Sequence, residues 1–158
     1  MKWGEGLVQS GVAMSGVPEF GKREVGREYT RRPAAYGVIL DTTGLLACVG
    51  ESSGLFLPGG GMRNGETPAE TLAREVREEC AFEVSIIAGL GSAVQYFVSG
   101  RGVAYRLEAS FFRAQFGAAV SSPPELELRF ISKADAAQRL FHECHRWAVD
   151  RAGGGEPR

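Results

Sequence analysis

Hydrophobic residues occur along the chain in short runs that are separated by turn-forming residues, a pattern typical of a buried sheet. Residues 36–40 and 45–49 flank the turn sequence Asp-Thr-Thr-Gly, which predicts a β-hairpin. Residues 55–57 predict a short strand that stops at a proline followed by three glycines. Residues 82–98 and 103–116 predict two long strands joined by a tight turn in a second hairpin.

Residues 67–80 are predicted to form a helix because they begin with a complete capping pattern. Thr67 is the expected N-cap, Pro68 takes the first helical position and Glu70 takes the third. The helix should therefore begin at Pro68. The helical period predicts five residues facing the core, namely Ala69, Leu72, Ala73, Val76 and Cys80.

The C-terminal part of the chain predicts one further strand and one closing helix. Apolar and charged residues alternate over residues 126–131, as in a half-exposed strand. Ser132 and Asp135 then form a capping pattern, and apolar residues follow at helical spacing until the glycines at 153–155. The irregular mixture of strands and helices indicates one α/β domain of the mixed α+β type.

The length of 158 residues corresponds to about one domain. We expect residues 1–30 to be a loosely structured N-terminal extension, residues 31–152 to form the domain, and residues 153–158 to be a disordered tail. The formal net charge of −1 gives no basic surface for a nucleic-acid polymer or an anionic membrane. The chain shows no secretory signal, and three widely spaced cysteines do not suggest a disulfide framework, so a reducing cytoplasm is expected.

Three glutamates on the predicted helix carry the strongest chemical signal. Glu75, Glu78 and Glu79 are spaced i, i+3 and i+4, which places their like charges side by side. A hard divalent cation would turn this repulsion into a binding site, since Mg²⁺ prefers carboxylate oxygens. The alternative is a solvated acidic face that Arg74 and Arg77 partly neutralise.

The complete spacing of residues 58–82 decides between these alternatives. Five residues separate Gly60 from Glu66, seven more lead to Arg74, and the three glutamates follow directly. This segment resembles the Nudix box, G-x5-E-x7-R-E-U-x-E-E-x-G-U, in which U is apolar. One position departs from the box: Ala81 stands where the box has glycine, which leaves the conformation at the end of the helix in question.

The resemblance implies a Nudix-type α/β/α sandwich with a mixed β-sheet, covering about residues 17–150. It also implies a magnesium or manganese site whose ligands are the three box glutamates and the backbone carbonyl of Gly59. Gly60, Glu66 and Arg74 would support this site, with Arg74 holding Glu66. The water-activating base would be Glu75, Glu78 or a later glutamate, for which Glu125 is preferred over Glu127.

The resemblance further implies hydrolysis of a pyrophosphate bond in a nucleoside diphosphate linked to another moiety. A MutT-like nucleoside triphosphate pyrophosphohydrolase is favoured, with a nucleotide-sugar, ADP-ribose or dinucleoside-polyphosphate hydrolase as the alternative. A Nudix-fold nucleotide sensor without turnover is the alternative from another class. The expected partner is thus a small nucleotide derivative, and a homodimer is an open alternative for the assembly. The substrate-binding residues are unknown at this stage.

Aromatic residues and histidines outside the box allow two interpretations. Tyr96, Phe97 and Tyr105 lie on the long strands, where they either stack on a base or pack within the sheet. His142 and His145 lie one helical turn apart, and core packing is favoured over a metal pair because no third ligand is nearby in the sequence.

Overall fold

The computed structural model describes residues 16–51 and 54–154 and contains two sheets and three helices. The larger sheet has the strand order β1-β6-β7-β2-β5 and the smaller one the order β4-β3-β8. The strands are β1 (Glu19–Phe20), β2 (Thr30–Ile39), β3 (Leu46–Glu51), β4 (Gly54–Phe56), β5 (Gly59–Gly61), β6 (Phe82–Val98), β7 (Ala104–Ala119) and β8 (Leu128–Ile131). The helices are α1 (Pro68–Cys80), α2 (Lys133–Arg139) and α3 (Glu143–Gly154).

The larger sheet is mixed. Strands β6 and β7 form the long antiparallel hairpin that the sequence predicts. Strand β2 lies parallel to β7 over ten residue pairs, and its other edge pairs antiparallel with β5. No helix in the described ranges has the length and apolar character needed to cross a membrane.

Alternation along β2 shows how the helices cover both faces of the sheet. Ala34, Tyr36 and Val38 belong to one hydrophobic cluster, which also contains residues of α2 and α3. Ala35 and Ile39 belong to a second cluster, which contains the buried residues of α1. Because neighbouring strand residues point to opposite faces, α1 lies on one side of the sheet and α2 and α3 lie on the other. The expected α/β/α sandwich with a mixed sheet is confirmed.

The prediction of a hairpin from residues 36–40 and 45–49 is wrong. Strands β2 and β3 belong to different sheets and are connected only by an isolated bridge between Leu40 and Leu46. The turn itself forms, because the Asp41 carboxylate accepts hydrogen bonds from the backbone N–H groups of Thr43 and Leu45. However, β7 pairs along the whole of β2 and β5 pairs with residues 34–36 on its other edge, whereas β3 pairs with β4 and β8.

The prediction of a single closing helix is also wrong, because two helices form with a break at Leu140. This residue has an extended backbone and bridges to Leu55 of β4, and the Phe141 N–H donates to the Leu55 carbonyl. Leu140 is fully buried, so the interruption brings an apolar side chain into the core. Helix α3 extends to Gly154, and Gly155 lies outside the described residues.

At the N-terminal end, two residues of the segment expected to be loosely structured form strand β1. Glu19 and Phe20 pair in parallel with Val94 and Gln95 of β6. Strand β2 begins at Thr30, the last residue of that segment. Residues 1–15 lie outside the described ranges.

Helix α1 begins as predicted, with both hydrogen bonds of the capping box formed between Thr67 and Glu70. Its buried face differs from the prediction, since Leu72, Val76 and Cys80 are buried as expected but Ala69 is only partly buried. Ala73 is exposed, whereas Thr71 is fully buried and donates its hydroxyl to Glu66. A polar residue therefore takes part of the inner face because it has a carboxylate partner there.

Helix α1 ends at Ala81, whose φ of 63° and ψ of 40° are left-handed. Its N–H donates to the Arg77 carbonyl and its carbonyl accepts from Val120, so hydrogen bonds on both sides hold this conformation. The helix end therefore keeps the turn that the glycine of the box would make, although alanine pays about 1–2 kcal/mol for it.

We predict that Ala81→Val lowers the free energy of unfolding by about 2 kcal/mol, because a β-branched side chain is strongly disfavoured in this region. Ala73→Val is the matched control: it places the same substitution at an exposed right-handed position of α1, where only a helix propensity difference below about 1 kcal/mol is at stake. Denaturant unfolding of both variants measures the difference. Equal losses would contradict the assigned strain at Ala81.

Two histidines of the closing segment are buried in the core. His145 is fully buried, and His142 is 6% exposed, with its ring edge-on to those of Phe56 and Phe97. Burial lowers the pKa of His142 to about 4, and nearby Arg146 and Arg32 act in the same direction. Both histidines are therefore neutral in the folded protein near neutral pH.

This burial predicts an acid-sensitive contribution to stability. Between pH 6.5 and 4 the unfolded chain protonates His142 and the folded protein does not, so the free energy of unfolding falls as pH falls. The contribution amounts to about 3 kcal/mol across the window. His142→Phe should flatten the curve by that amount when unfolding is measured at several pH values. Parallel curves for the parent and the variant would contradict the neutral state.

Candidate functional site

The site forms where strand β5 passes between β2 and helix α1. Gly59 has φ of +144°, and an added Cβ would lie 2.7 Å from the Tyr36 Cα and overlap the Ala35 carbonyl. At Gly60 an added Cβ would lie 2.5 Å from the Glu75 carboxylate. Glycine at both positions thus allows β5 to lie directly against β2 on one side and against the acidic face of α1 on the other.

Arg74 and Glu66 brace the loop against the helix, as the resemblance implies. The Arg74 Nε lies 2.6 Å from one Glu66 oxygen and its Nη2 lies 3.0 Å from the other, while Nη2 also donates to the Gly61 carbonyl. Glu66 accepts further hydrogen bonds from the Arg63 N–H and the Thr71 hydroxyl. These donors, with Arg74 first, lower the pKa of Glu66 to about 2.

The same guanidinium reaches two of the three box glutamates. Arg74 Nη1 lies 3.3 Å from both a Glu75 oxygen and a Glu78 oxygen. Arg63 lies 3.7 Å from the other Glu78 oxygen. One partly buried cation therefore holds two carboxylates of α1 and the loop carboxylate together in a single network.

Glu79 lies deeper and has a different environment. Its carboxylate accepts a hydrogen bond of 3.1 Å from the Gly59 N–H. Burial raises the pKa of Glu79 to about 8, and the charges of Glu75, Glu125 and Glu78 contribute in the same direction. Burial also raises the pKa of Glu75 above its ordinary value. The charged forms of Glu75 and Glu79 are therefore destabilised, and either a bound cation or a proton would stabilise these carboxyl groups.

The loop before β8 brings Glu125 to this face. The backbone N–H groups of Glu125 and Leu126 donate to the Glu78 and Glu79 carbonyls, at 3.0 and 3.2 Å, in the last turn of α1. Glu127 is exposed and pairs with Arg129. The structure therefore places Glu125 nearer the box glutamates and gives Glu127 another partner.

Whether these residues fit a divalent metal is a question of donor chemistry. Over residues 16–51 and 54–154, no three Asp, Glu, His or Cys side chains converge on one point in the way that metal ligands do. The box carboxylates instead contact Arg74 and the Gly59 N–H. Their oxygens are the ligands that a hard divalent cation requires, and their mutual repulsion favours such a cation, so the residues fit once the side chains turn toward it.

A cleft of about 740 Å³ is lined by Glu75 and Glu79 and also by several aromatic residues. The rings of Phe97 and Tyr105 stack at 5.4 Å, and the Arg32 guanidinium lies 5.7 Å from the Tyr105 ring centre. These residues come from β2 and from opposite strands of the long hairpin, where Phe97 and Tyr105 are paired in register. We call the stacked pair of Phe97 and Tyr105 the aromatic wall. Their opposite positions in the predicted hairpin are the feature of the sequence that indicates this pair.

Other residues that line the cleft have no clear sequence signal. Phe56 and His142 line the same cleft, and Arg101 reaches it from the turn of the hairpin. Tyr96 does not line it: this residue is buried on the other face, where its hydroxyl accepts from Arg106. The histidine pair packs in the core as favoured, with His142 also forming part of the cleft.

Comparisons with known proteins agree with this site. A family model of the NUDIX domain matches residues 30–147. The chain is similar to a Nudix hydrolase from Nitrosomonas europaea (TM-score 0.64, 15% identity, 80% of this chain and 90% of that one). It is also similar to a MutT protein from Methanosarcina mazei Go1 (0.63, 20%, 82% and 99%) and to the E. coli dihydroneopterin triphosphate pyrophosphohydrolase (0.62, 19%, 79% and 97%). The comparison with curated proteins found no match.

The family model spans strands β2 to β8, including Gly59 and Gly60 of β5, helices α1 and α2, and the start of α3. The matched range contains both the fold and the site, in which Arg74 contacts Glu75 and Glu78 and in which Glu75 and Glu79 line the cleft. The chain belongs to the Nudix hydrolase family.

Proposed function

We propose that the protein hydrolyses a pyrophosphate bond in a nucleoside diphosphate linked to another moiety, with Mg²⁺ or Mn²⁺ as cofactor. One observation carries the proposal: the acidic face of α1 and an aromatic wall line the same cleft. Glu75 and Glu79 line this cleft together with the stacked rings of Phe97 and Tyr105. A substrate with phosphates at one end and a flat ring at the other would match both sets of residues.

Each residue has a separate part in this proposal. Glu75, Glu78, Glu79 and the Gly59 carbonyl would hold the divalent cation, which neutralises phosphate oxygens and activates water when bound. Gly60 keeps the Glu75 carboxylate close to β5, while Arg74 orients it through the network with Glu66.

The proton of the attacking water has to pass to a carboxylate. Glu75 and Glu78 remain candidates because they belong to the acidic face itself. Glu125 is the third, and the hydrogen bond from its N–H to Glu78 supports this assignment by fixing the loop beside the helix.

The favoured substrate is a nucleoside triphosphate. A volume of about 740 Å³ lies within the usual range of about 300–1,000 Å³ for small-molecule sites. Arg32 and Arg101 also line the cleft, and their positive charge suits a substrate with more phosphate groups than those at the acidic face. The similar solved structures include a MutT protein, an ADP-ribose pyrophosphatase and a UDP-X diphosphatase, and these activities support a diphosphate as the shared element of the substrate.

Nucleotide sugars, ADP-ribose and dinucleoside polyphosphates are the second candidate class. The cleft extends as far as Ser99, Gly100 and Arg101 at the turn of the hairpin, which leaves space for a second moiety. A nucleotide sensor without turnover is disfavoured because all three box glutamates are present. The three cysteines are free and buried, which supports the expected reducing, cytoplasmic setting.

We predict that Glu78→Gln lowers kcat on the preferred substrate at least about 100-fold, because it removes a carboxylate from the acidic face. The measurement is product release from nucleoside triphosphates, ADP-ribose, nucleotide sugars and dinucleoside polyphosphates with Mg²⁺. Glu83→Gln is the control, since Glu83 pairs with Arg77 and is exposed. Nucleotide binding without turnover of any substrate by the parent would favour the sensor.

A second prediction separates the site from the stability of the fold. In Gly60→Ala the new methyl group meets the end of a flexible carboxylate, so Glu75 must move while the backbone stays in place. Activity should fall about 10- to 100-fold, as when the support of a metal ligand is lost, with little change in melting temperature.

Gly61→Ala is the matched control for this prediction. An added Cβ at Gly61 lies 3.7 Å from its nearest neighbour, which is an ordinary contact with Arg32. Its activity should stay close to that of the parent. Equal losses in both variants would show that the effect belongs to the strand and not to the position of Glu75.

A further inference from the structure

We infer that His145 is a positioning residue: its Nδ1 accepts the Leu57 N–H and thereby fixes the loop that carries Gly59 against the acidic face of α1. The acceptor lies 3.2 Å from the Leu57 nitrogen, and 88 positions separate the two residues along the chain. The inference rests on the proposed function only for its activity measurement.

Three consecutive residues, two in the loop after β4 and one at the start of β5, are each held by a different element. The Leu57 N–H donates to His145 of α3, the Pro58 carbonyl accepts from Gly37 of β2 at 2.9 Å, and the Gly59 N–H donates to Glu79 of α1. Among these three bonds, the one from the Leu57 N–H has its acceptor on a side chain of α3. Loss of this bond would free the start of the loop, two residues before the contact with Glu79.

Burial makes the Leu57 bond costly to lose. Leu57 and His145 are both fully buried, so no solvent can replace the acceptor. An unsatisfied backbone donor in such a place costs roughly 1–3 kcal/mol. The backbone of the loop therefore has to move when the acceptor is absent, or the protein has to accept this cost.

Packing of the imidazole adds to the coupling. The His145 ring lies 4.3 Å from the ring of Tyr36, and Tyr36 pairs with Gly59 in the sheet. The same ring also lies edge-on to Phe111. The imidazole thus touches the loop through Leu57 and touches the strand beside the loop through Tyr36.

The hydrogen bond defines the tautomer of His145. An Nδ1 that accepts has no proton, so the neutral ring carries its proton on Nε2. This Nε2 is buried and has no hydrogen-bond partner within the described residues. An apolar side chain would avoid this unpaired group, but it would also leave the Leu57 N–H without an acceptor.

The docking of α3 does not depend on this bond. Gln95 of β6 accepts the Cys144 N–H at 3.0 Å, and the Phe141 N–H donates to Leu55 at 2.9 Å. Both contacts lie next to His145 and hold the start of the helix without it. A change of acceptor at His145 should therefore act on the loop before it acts on the helix.

Three variants test the inference, because they differ in where an acceptor can lie. His145→Asn places a carbonyl oxygen near the position of Nδ1, His145→Gln places its amide near the position of Nε2, and His145→Leu has no acceptor. Hydrogen exchange at the Leu57 amide is measured together with Mn²⁺ affinity, kcat, KM and melting temperature. The tautomer in the parent is read from the ¹⁵N chemical shifts of the imidazole.

We expect the Nε2–H tautomer in the parent. We also expect Leu57 exchange to be faster in the Leu and Gln variants than in the Asn variant by about 10-fold or more, which corresponds to about 1.4 kcal/mol. With a substrate that the parent hydrolyses, kcat should fall about 10- to 100-fold in the His145→Leu and His145→Gln variants. KM should change little because His145 does not line the cleft. The Asn variant should recover most of this loss.

Two results would overturn the inference: an Nδ1–H tautomer, or Leu57 exchange that is equally slow in all three variants. Equal loss of kcat in Asn, Gln and Leu with unequal exchange would also overturn it, since the bond would then have no effect on the site. If no substrate is turned over at all, the proposed function fails, but exchange and Mn²⁺ affinity still decide the role of His145. If the His145→Leu variant does not fold, the comparison of His145→Asn with His145→Gln still tests the inference.

Discussion

The close approach of β5 to both β2 and α1 is the constraint on which the site depends. A side chain at Gly59 would overlap the backbone of β2, and one at Gly60 would push into the Glu75 carboxylate. Without side chains at these positions, a backbone strand lies beside the acidic face, and the Gly59 N–H can reach Glu79. The positions of the box glutamates thus follow from how closely three backbone segments can pack.

Electrostatics then give neighbouring carboxylates opposite properties. Glu66 accepts hydrogen bonds from Arg74, the Arg63 N–H and Thr71, and these bonds hold its pKa near 2. Glu79, deeper in the protein, has the Gly59 N–H and three nearby carboxylates, and its pKa rises to about 8. The first carboxylate is fixed as a structural anion beside Arg74. The anionic form of Glu79 is destabilised unless a cation lies beside it, which is the property expected of a metal ligand.

Features determined by local sequence could be predicted, whereas features determined by distant partners could not. The capping box of α1 and the long hairpin were predictable because both depend on residues close together in the chain. The pairing of β2 was not, since its register partners on β7 are about 75 residues away and displace the expected neighbour β3. The extended Leu140 was missed because the bridge to Leu55 interrupts an otherwise regular helical pattern.

The same distinction explains why the reaction could be inferred from sequence more readily than the substrate. The box residues lie within one loop and one helix, so their spacing alone carries the chemistry. The cleft wall is assembled from separate elements: Arg32 from β2, Phe56 from β4, Phe97 and Tyr105 from the hairpin, and His142 from the start of α3. Apart from the paired Phe97 and Tyr105, no spacing rule connects these positions, and all of them lie outside the box at residues 58–82. A fold of this kind can therefore retain one reaction while its substrates diverge, and the identity of the substrate has to come from the wall and its contacts.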